Sequence, residues 1–297
     1  MEVKLSASRI KTAQSCSWIY WTKYKQKLPD TNNDGARRGT VCHNVFEFLS
    51  KQKTKTHFNK IVKAQNPFAS KAVEDLIMSD ATEMGVTDED NMSMIKEMIL
   101  NGLSCNFHGE DLGIPDEAYA ELDFDIEQNG YHIRGFIDQL FLYKDKKIAI
   151  IRDYKTSKKM FEGKEKEDNL QDYMYCLAVK NLFPEYVNRN AEFLFLKFDL
   201  NKNGLMKMEP IEEDDLEGFE LQLASVQDYL ENFNEHDAVA NFAADKGFPS
   251  DGSFGGKLQC GFAKEKGQLK KDGTVMWHCP YKFDFFYAEI KDKDGQF

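Results

Sequence analysis

Long apolar runs are missing from this 297-residue sequence: no stretch approaches the roughly 18 consecutive apolar residues a membrane-spanning helix needs, so the expected protein does not cross a membrane. The opening MEVKLSASRI also lacks the apolar core of a secretory signal, which leads us to expect a cytoplasmic protein. Cysteine is sparse. The six, at positions 16, 42, 105, 176, 260 and 279, are too scattered for a dense disulfide framework and are expected to be reduced. Positive charge is in deficit, with 39 Lys and Arg against 50 Asp and Glu and a net charge of −11, which argues against tight, non-specific coating of polyanions. A local basic groove remains compatible with that sum. The glycine-rich DKGFPSDGSFGGKLQ lacks a phosphate-binding loop, because Asp251 stands where that motif needs Gly and Leu258 where it needs Ser or Thr. Neither an internal repeat nor a low-complexity tail is found.

What is present is enough apolar material for a core, 41% of residues, distributed in two different periods. The segment LSASRIKTAQSCSWIYWTKY reads as a helix with Ser6 or Ser8 as N-cap, ended by Pro29 and TNNDG; Trp18, Trp21 and Tyr24 read as its core side. Val41, Val45, Phe46, Phe48 and Leu49 give a helical stripe over about 36–52, and helical stretches at about 68–85 and 91–107 read as an insertion. From residue 118 the period drops to two. Three strand-like runs, at about 118–127, 131–143 and 147–155, are separated by Asn129 and Gly130 and by residues 144–147, which predicts an antiparallel meander. A helix over 168–183, an apolar strand over 191–200 and a long helix from EEDDLEGF onward follow.

In a strand, positions i and i+2 share a face, so Asp153 and Lys155 of IIRDYKTSK project together. A turn centred between Asp145 and Lys146 sets Asp138 opposite Asp153, with Cβ atoms roughly 4.5–5.5 Å apart. Two carboxylates facing each other ask for a cation, and Mg²⁺ commonly takes one or two carboxylates, its other positions being filled by water and phosphate oxygen. Asp153 follows IAII, apolar on both faces, where an unpaired charge is costly.

These residues resemble the PD-(D/E)xK nuclease superfamily, and its RecB-like branch in particular. The match runs from Ser6 to about Leu200 through four motifs in the family order: the His of RRGTVCHNVFEFL, the G-x-x-D of Gly135 to Asp138, the D-x-K of Asp153 to Lys155, and the Q-x-x-x-Y of Gln171 to Tyr175. The resemblance implies an α/β fold with a restriction-endonuclease-like αβββαβ core, a mixed central sheet, flanking helices and a helical insertion. A single domain is expected over 1–297: an N-terminal helix (1–35), a catalytic core (36–55 and 117–200), the insertion (56–116) and a C-terminal part (201–297).

By that resemblance His43, Asp138, Asp153 and the backbone carbonyl of Tyr154 would hold Mg²⁺ or Mn²⁺, and Lys155 would orient the attacking water and help to deprotonate it. Gln171 and Tyr175, one turn apart, would line the nucleic-acid path, and Glu121 is a secondary site residue. Basic residues beside the motifs, among them Arg37, Arg38, Lys158 and Lys159, would supply a phosphate-contacting groove. Many members of the branch carry an iron–sulfur cluster; here Cys16, Cys260 and Cys279 match its ligands, the third C-terminal cysteine is absent, and His278 completes a set that equally suits zinc. The expected function is a divalent-metal-dependent exonuclease acting on DNA in recombination, repair or phage DNA processing, in the host cytoplasm if phage-encoded. The alternatives are a non-catalytic DNA-binding or regulatory module on the same fold, and a hydrolase of another phosphoester, which would need a closed small-molecule pocket instead of an open groove.

Overall fold

Ser6 caps the first helix: its hydroxyl accepts from the Arg9 amide, opening α1 (Ala7–Ser15). The single long helix expected here breaks at Cys16. Its backbone is extended, at φ −158° and ψ 111°, and α2 (Ser17–Tyr20) restarts before a π-helical turn at Trp21–Lys25. Packing overrides the local pattern, since the restart buries Cys16, Ser17, Trp18 and Tyr20, and the Ser17 hydroxyl donates to the Ala238 carbonyl. The computed structural model describes residues 3–28, 33–240 and 273. It divides into two compact units: one drawn from Met1–Thr31 and Ser225–Phe297, the other Asn32–Ala224. In the first, Tyr20 packs edge-on to Phe233 at 4.9 Å, and Gln227 Nε2 donates to the Val3 carbonyl at 2.6 Å.

The larger unit holds the αβββαβ order expected. Helix α3 (Asp34–Ser50), capped by Asn33, buries Val41, Cys42, Val45, Phe46 and Leu49. Against it pack α4 (Lys55–Ala64), α5 (Lys71–Met84) and α6 (Glu89–Ser104), which share one core with Tyr154, Leu194 and Leu196. Helix α4 is not among the expected elements, because only Phe58, Ile61 and Val62 mark its apolar stripe among lysines.

Strands β1 (Glu117–Gln128), β2 (Tyr131–Tyr143) and β3 (Ile148–Lys155) form the meander. Asn129 and Gly130 take positive φ, 48° and 81°, as a two-residue hairpin turn of the right twist demands. The β2–β3 register is the expected one, with Gln139 facing Arg152, Leu140 facing Ile151 and Phe141 facing Ile150. Helix α7 (Lys164–Glu167) precedes α8 (Leu170–Leu182), which crosses over to β4 (Asn188–Phe195), parallel to β3; β5 (Leu205–Lys207) closes the sheet antiparallel to β4. The expected strand over 191–200 therefore starts earlier and stops earlier. It stops because the amides of Lys202, Asn203 and Gly204 all donate to the Asp199 carbonyl, turning the chain back into β5. Helices α9 (Glu213–Asn232) and α10 (Glu235–Ala240) follow. No helix among the described residues is long and apolar enough to cross a membrane. Cys260, His278 and Cys279, with the glycine-rich segment, lie outside the described residues; of the proposed second metal set only buried Cys16 is described.

Candidate active site

The carboxylates meet where the sheet's pairing is interrupted. In the β1–β2 ladder Ala120 faces Gln139 and Leu122 faces Ile137, but Glu121, which would face Asp138, is unpaired and has φ 49°. The β2–β3 ladder ends one step short of Asp138 and Asp153, at Gln139 and Arg152. In place of a ladder bond, the Tyr154 amide donates to Asp138 Oδ2 at 2.6 Å. Glu121, Asp138 and Asp153 thus come from three adjacent strands to one level of the sheet.

His43 reaches them from α3. Its Nδ1 lies 3.4 Å from Asp138 Oδ1 and 3.7 Å from Glu121 Oε1, and its Nε2 lies 3.2 Å from the Tyr154 carbonyl oxygen. Burial alone would depress the imidazole, but the hydrogen bonds it donates to Asp138 and Glu121 and the charges of Asp138 and Asp153 carry it up to about 10. Asp138 is also pushed up, by its own burial and then by the charge of Asp153, with His43 and the Tyr154 amide pulling the other way.

Asp153, 4% exposed, is gripped on one side only. Its Oδ1 accepts from Tyr175 OH at 2.9 Å and from Gln171 Nε2 at 2.7 Å. Its Oδ2 lies 2.6 Å from Lys155 Nζ yet takes no hydrogen bond of normal geometry, the ammonium donating instead to Gln171 Oε1 at 2.5 Å. Gln171 and Tyr175 share the α8 face turned to the sheet, set there by Asn169, whose side chain accepts from the Gln171 and Asp172 amides.

One ligand atom each from His43, Glu121 and Asp138 lies within 4.8 Å of the other two, a spacing suited to a shared cation. Asp153 stands beside this group, not inside it. Glu121, a secondary residue in the sequence reading, belongs to the group because its register position faces Asp138. The donor set of imidazole and carboxylate, together with the buried Asp153 Oδ2 whose ion-pair partner is Lys155, fits a divalent cation of the Mg²⁺ or Mn²⁺ type. Two residues were not singled out from sequence: Asn91, which binds Arg38, and Lys197, just past β4. Cys42 on α3 and Cys176 on α8 are buried, while Cys105, just past the end of α6, is half-buried.

Compared with known proteins, the chain matches the sequence model of the PD-(D/E)XK nuclease superfamily over residues 4–249. The comparison with curated proteins finds no match. Among solved structures, a candidate exonuclease of Eubacterium rectale is similar at 10% identity and a TM-score of 0.46, over 77% of this chain and 81% of that one. The protein VC1899 of Vibrio cholerae is similar at 11% identity and a TM-score of 0.25, over 68% of this chain and 57% of that one.

Proposed function

This chain belongs to the PD-(D/E)XK nuclease superfamily, and from that premise we propose that it is a divalent-metal-dependent deoxyribonuclease, an exonuclease of DNA recombination, repair or phage DNA processing. The observation that carries the reading is Asp153: a buried carboxylate with one oxygen fixed by α8 and the other left beside Lys155, at the level of Asp138, Glu121 and His43. A binding role alone would not require that arrangement.

Asp138 Oδ1, Glu121 Oε1 and His43 Nδ1 would hold the cation, with Asp153 Oδ2 and the Tyr154 carbonyl bordering it. A bound Mg²⁺ or Mn²⁺ supplies a lowered pKa for water and neutralises charge developing on the phosphoryl oxygens. Gln171 and Tyr175 keep Asp153 from turning away, so its second oxygen stays beside Lys155. Lys155, fixed between Asp153 and Gln171, orients the attacking water and favours its deprotonated form through its positive charge. The ester P–O bond breaks as the water oxygen bonds to phosphorus; the water's proton passes to solvent, and the leaving sugar oxygen takes a proton from solvent.

The test is purified protein with labelled single- and double-stranded DNA and a matching RNA, with and without Mg²⁺ or Mn²⁺, alongside Lys155→Ala. Metal-dependent shortening of DNA from an end, lost in Lys155→Ala, is the expected result. DNA binding without any cleavage would overturn the enzyme reading in favour of a binding module.

A further inference from the structure

Beside the carboxylates, three cations gather without a carboxylate of their own. Arg38 of α3 is 8% exposed; one terminal nitrogen donates to Asn91 Oδ1, while its buried Nε has no partner. Asp88, whose charge reaches Arg38, directs both oxygens to Asn91, so the guanidinium is offered an amide oxygen in place of a carboxylate. Lys158 and Lys197 make no ion pair among the described residues.

The backbone explains the gathering. The Leu196 amide donates to the Lys155 carbonyl at 2.9 Å, so the chain past β3 and the chain past β4 leave the sheet side by side. The first turns of α3 press against the same exit, where a Cβ on Gly39 would stand 3.0 Å from Thr156 Oγ1. Lys197 registers the crowding: burial lowers its pKa, and the charges of Arg38 and Lys158 lower it further. A buried guanidinium with an unused donor, facing further cations, is costly unless an anion arrives.

We propose that Arg38, Lys158 and Lys197 form a phosphate subsite, which takes the phosphate of the bound nucleic-acid strand next to the one at Asp138 and Asp153. The inference rests on the nuclease reading and specifies it. Lys158 lies three residues beyond Lys155, and Lys197 follows Leu196, whose amide donates to the Lys155 carbonyl, so the subsite lies at the strand ends beside the carboxylates. A phosphate brings several acceptor oxygens to the two accessible ammonium groups, with the positive charge of buried Arg38 behind them, and these supply charge without base specificity.

The experiment uses the Lys158→Gln/Lys197→Gln double variant of the full chain, because Arg38 is buried and its removal would disturb Asn91. KM and kcat are measured with Mg²⁺ on a short labelled strand across a range of KCl concentrations, with Lys51→Gln as a surface control. KM should rise about tenfold with kcat nearly kept, and the salt dependence should become shallower by about 0.7 per lost phosphate contact. A single methylphosphonate next to the cleaved bond should raise KM for the wild-type chain and not for the double variant. Loss confined to 5′-phosphorylated strands would make the phosphate a terminal one; loss on 5′-hydroxyl strands as well would make it internal. Unchanged KM and salt dependence, in a wild-type chain that cleaves, would overturn the subsite alone. A wild-type chain that cleaves nothing overturns the nuclease reading and the subsite together.

Discussion

Raising the pH should weaken the fold of the metal-free protein through one side chain, His43. Its folded-state pKa of about 10 lies above the ordinary 6.5 because Asp138, Glu121 and Asp153 favour the charged ring more than burial opposes it. A base raised in this way contributes its full stability below about 6.5 and loses it as the pH climbs through about 10. At about 1.36 kcal/mol per pH step the whole span is worth at most about 5 kcal/mol. The imidazole is 28% exposed, and solvent screening lowers the expectation to about 2 kcal/mol. Urea unfolding in EDTA, from neutral pH upward, should show that loss in the wild-type chain. His43→Gln, which keeps hydrogen-bonding capacity but cannot gain a proton, should flatten the profile relative to it. Proton and divalent cation compete for the same carboxylates, so Mn²⁺ added at neutral pH should expel about one proton from the wild type and a smaller fraction from His43→Gln, as calorimetry in two buffers would read. Identical pH slopes for the two chains would refute the electrostatic account of His43.

Asp138→Ala or Asp153→Ala should abolish metal-dependent cleavage, while Lys155→Ala should lose turnover and keep metal binding; cleavage surviving in Asp153→Ala would sink the role given to that carboxylate. Gly102→Ala drives a Cβ into the Phe46 ring edge and sets it 3.1 Å from Leu196 Cδ2, and should cost about 1–3 kcal/mol by overpacking in chemical denaturation. Adding Phe46→Leu should recover part of that loss, and strictly additive effects would contradict the contact. Asn169→Ala removes the α8 cap and should cost about 1 kcal/mol, with a fall in kcat because Gln171 loses its anchor; an unchanged kcat would show that the cap does not position the site.

The meander was legible because its cause is local: alternation of period two, Asn129 and Gly130 between the first two runs, and an even-handed turn that sets one register for every later pair. With the register known, Asp138 and Asp153 fall together by arithmetic. The break at Cys16 was not legible, since it depends on which face of Ser17, Trp18 and Tyr20 the rest of the unit covers. Strand β5 escaped because three residues, Leu205–Lys207, carry no period, and they pair only where the Asp199 turn delivers them. At the site, Arg38 was visible as a basic residue, but its isolation from carboxylates belongs to Asn91 and Lys197, brought in from α6 and the end of β4.

The position of the site follows from a defect in the sheet and its repair. Glu121 holds φ 49°, a left-handed conformation that costs a non-glycine residue about 1–2 kcal/mol, and no cross-strand bond offsets it. The β1–β2 register is kept on both sides of the defect, and opposite it Asp138 turns one oxygen to the Tyr154 amide and the other to His43. Tyr154 is then the piece that must not move, because its amide and carbonyl touch both partners. Its ring is locked from the far side: it stacks on Phe46 at 4.2 Å, and its hydroxyl donates to Gln139 Oε1, whose Nε2 donates to Ser50. Arg152, paired with Glu192, carries the same buried network across to β4. Rigidity on the covered face of the sheet thus fixes the carboxylate level at its interrupted end, where strand pairing alone would leave the backbone free to relax.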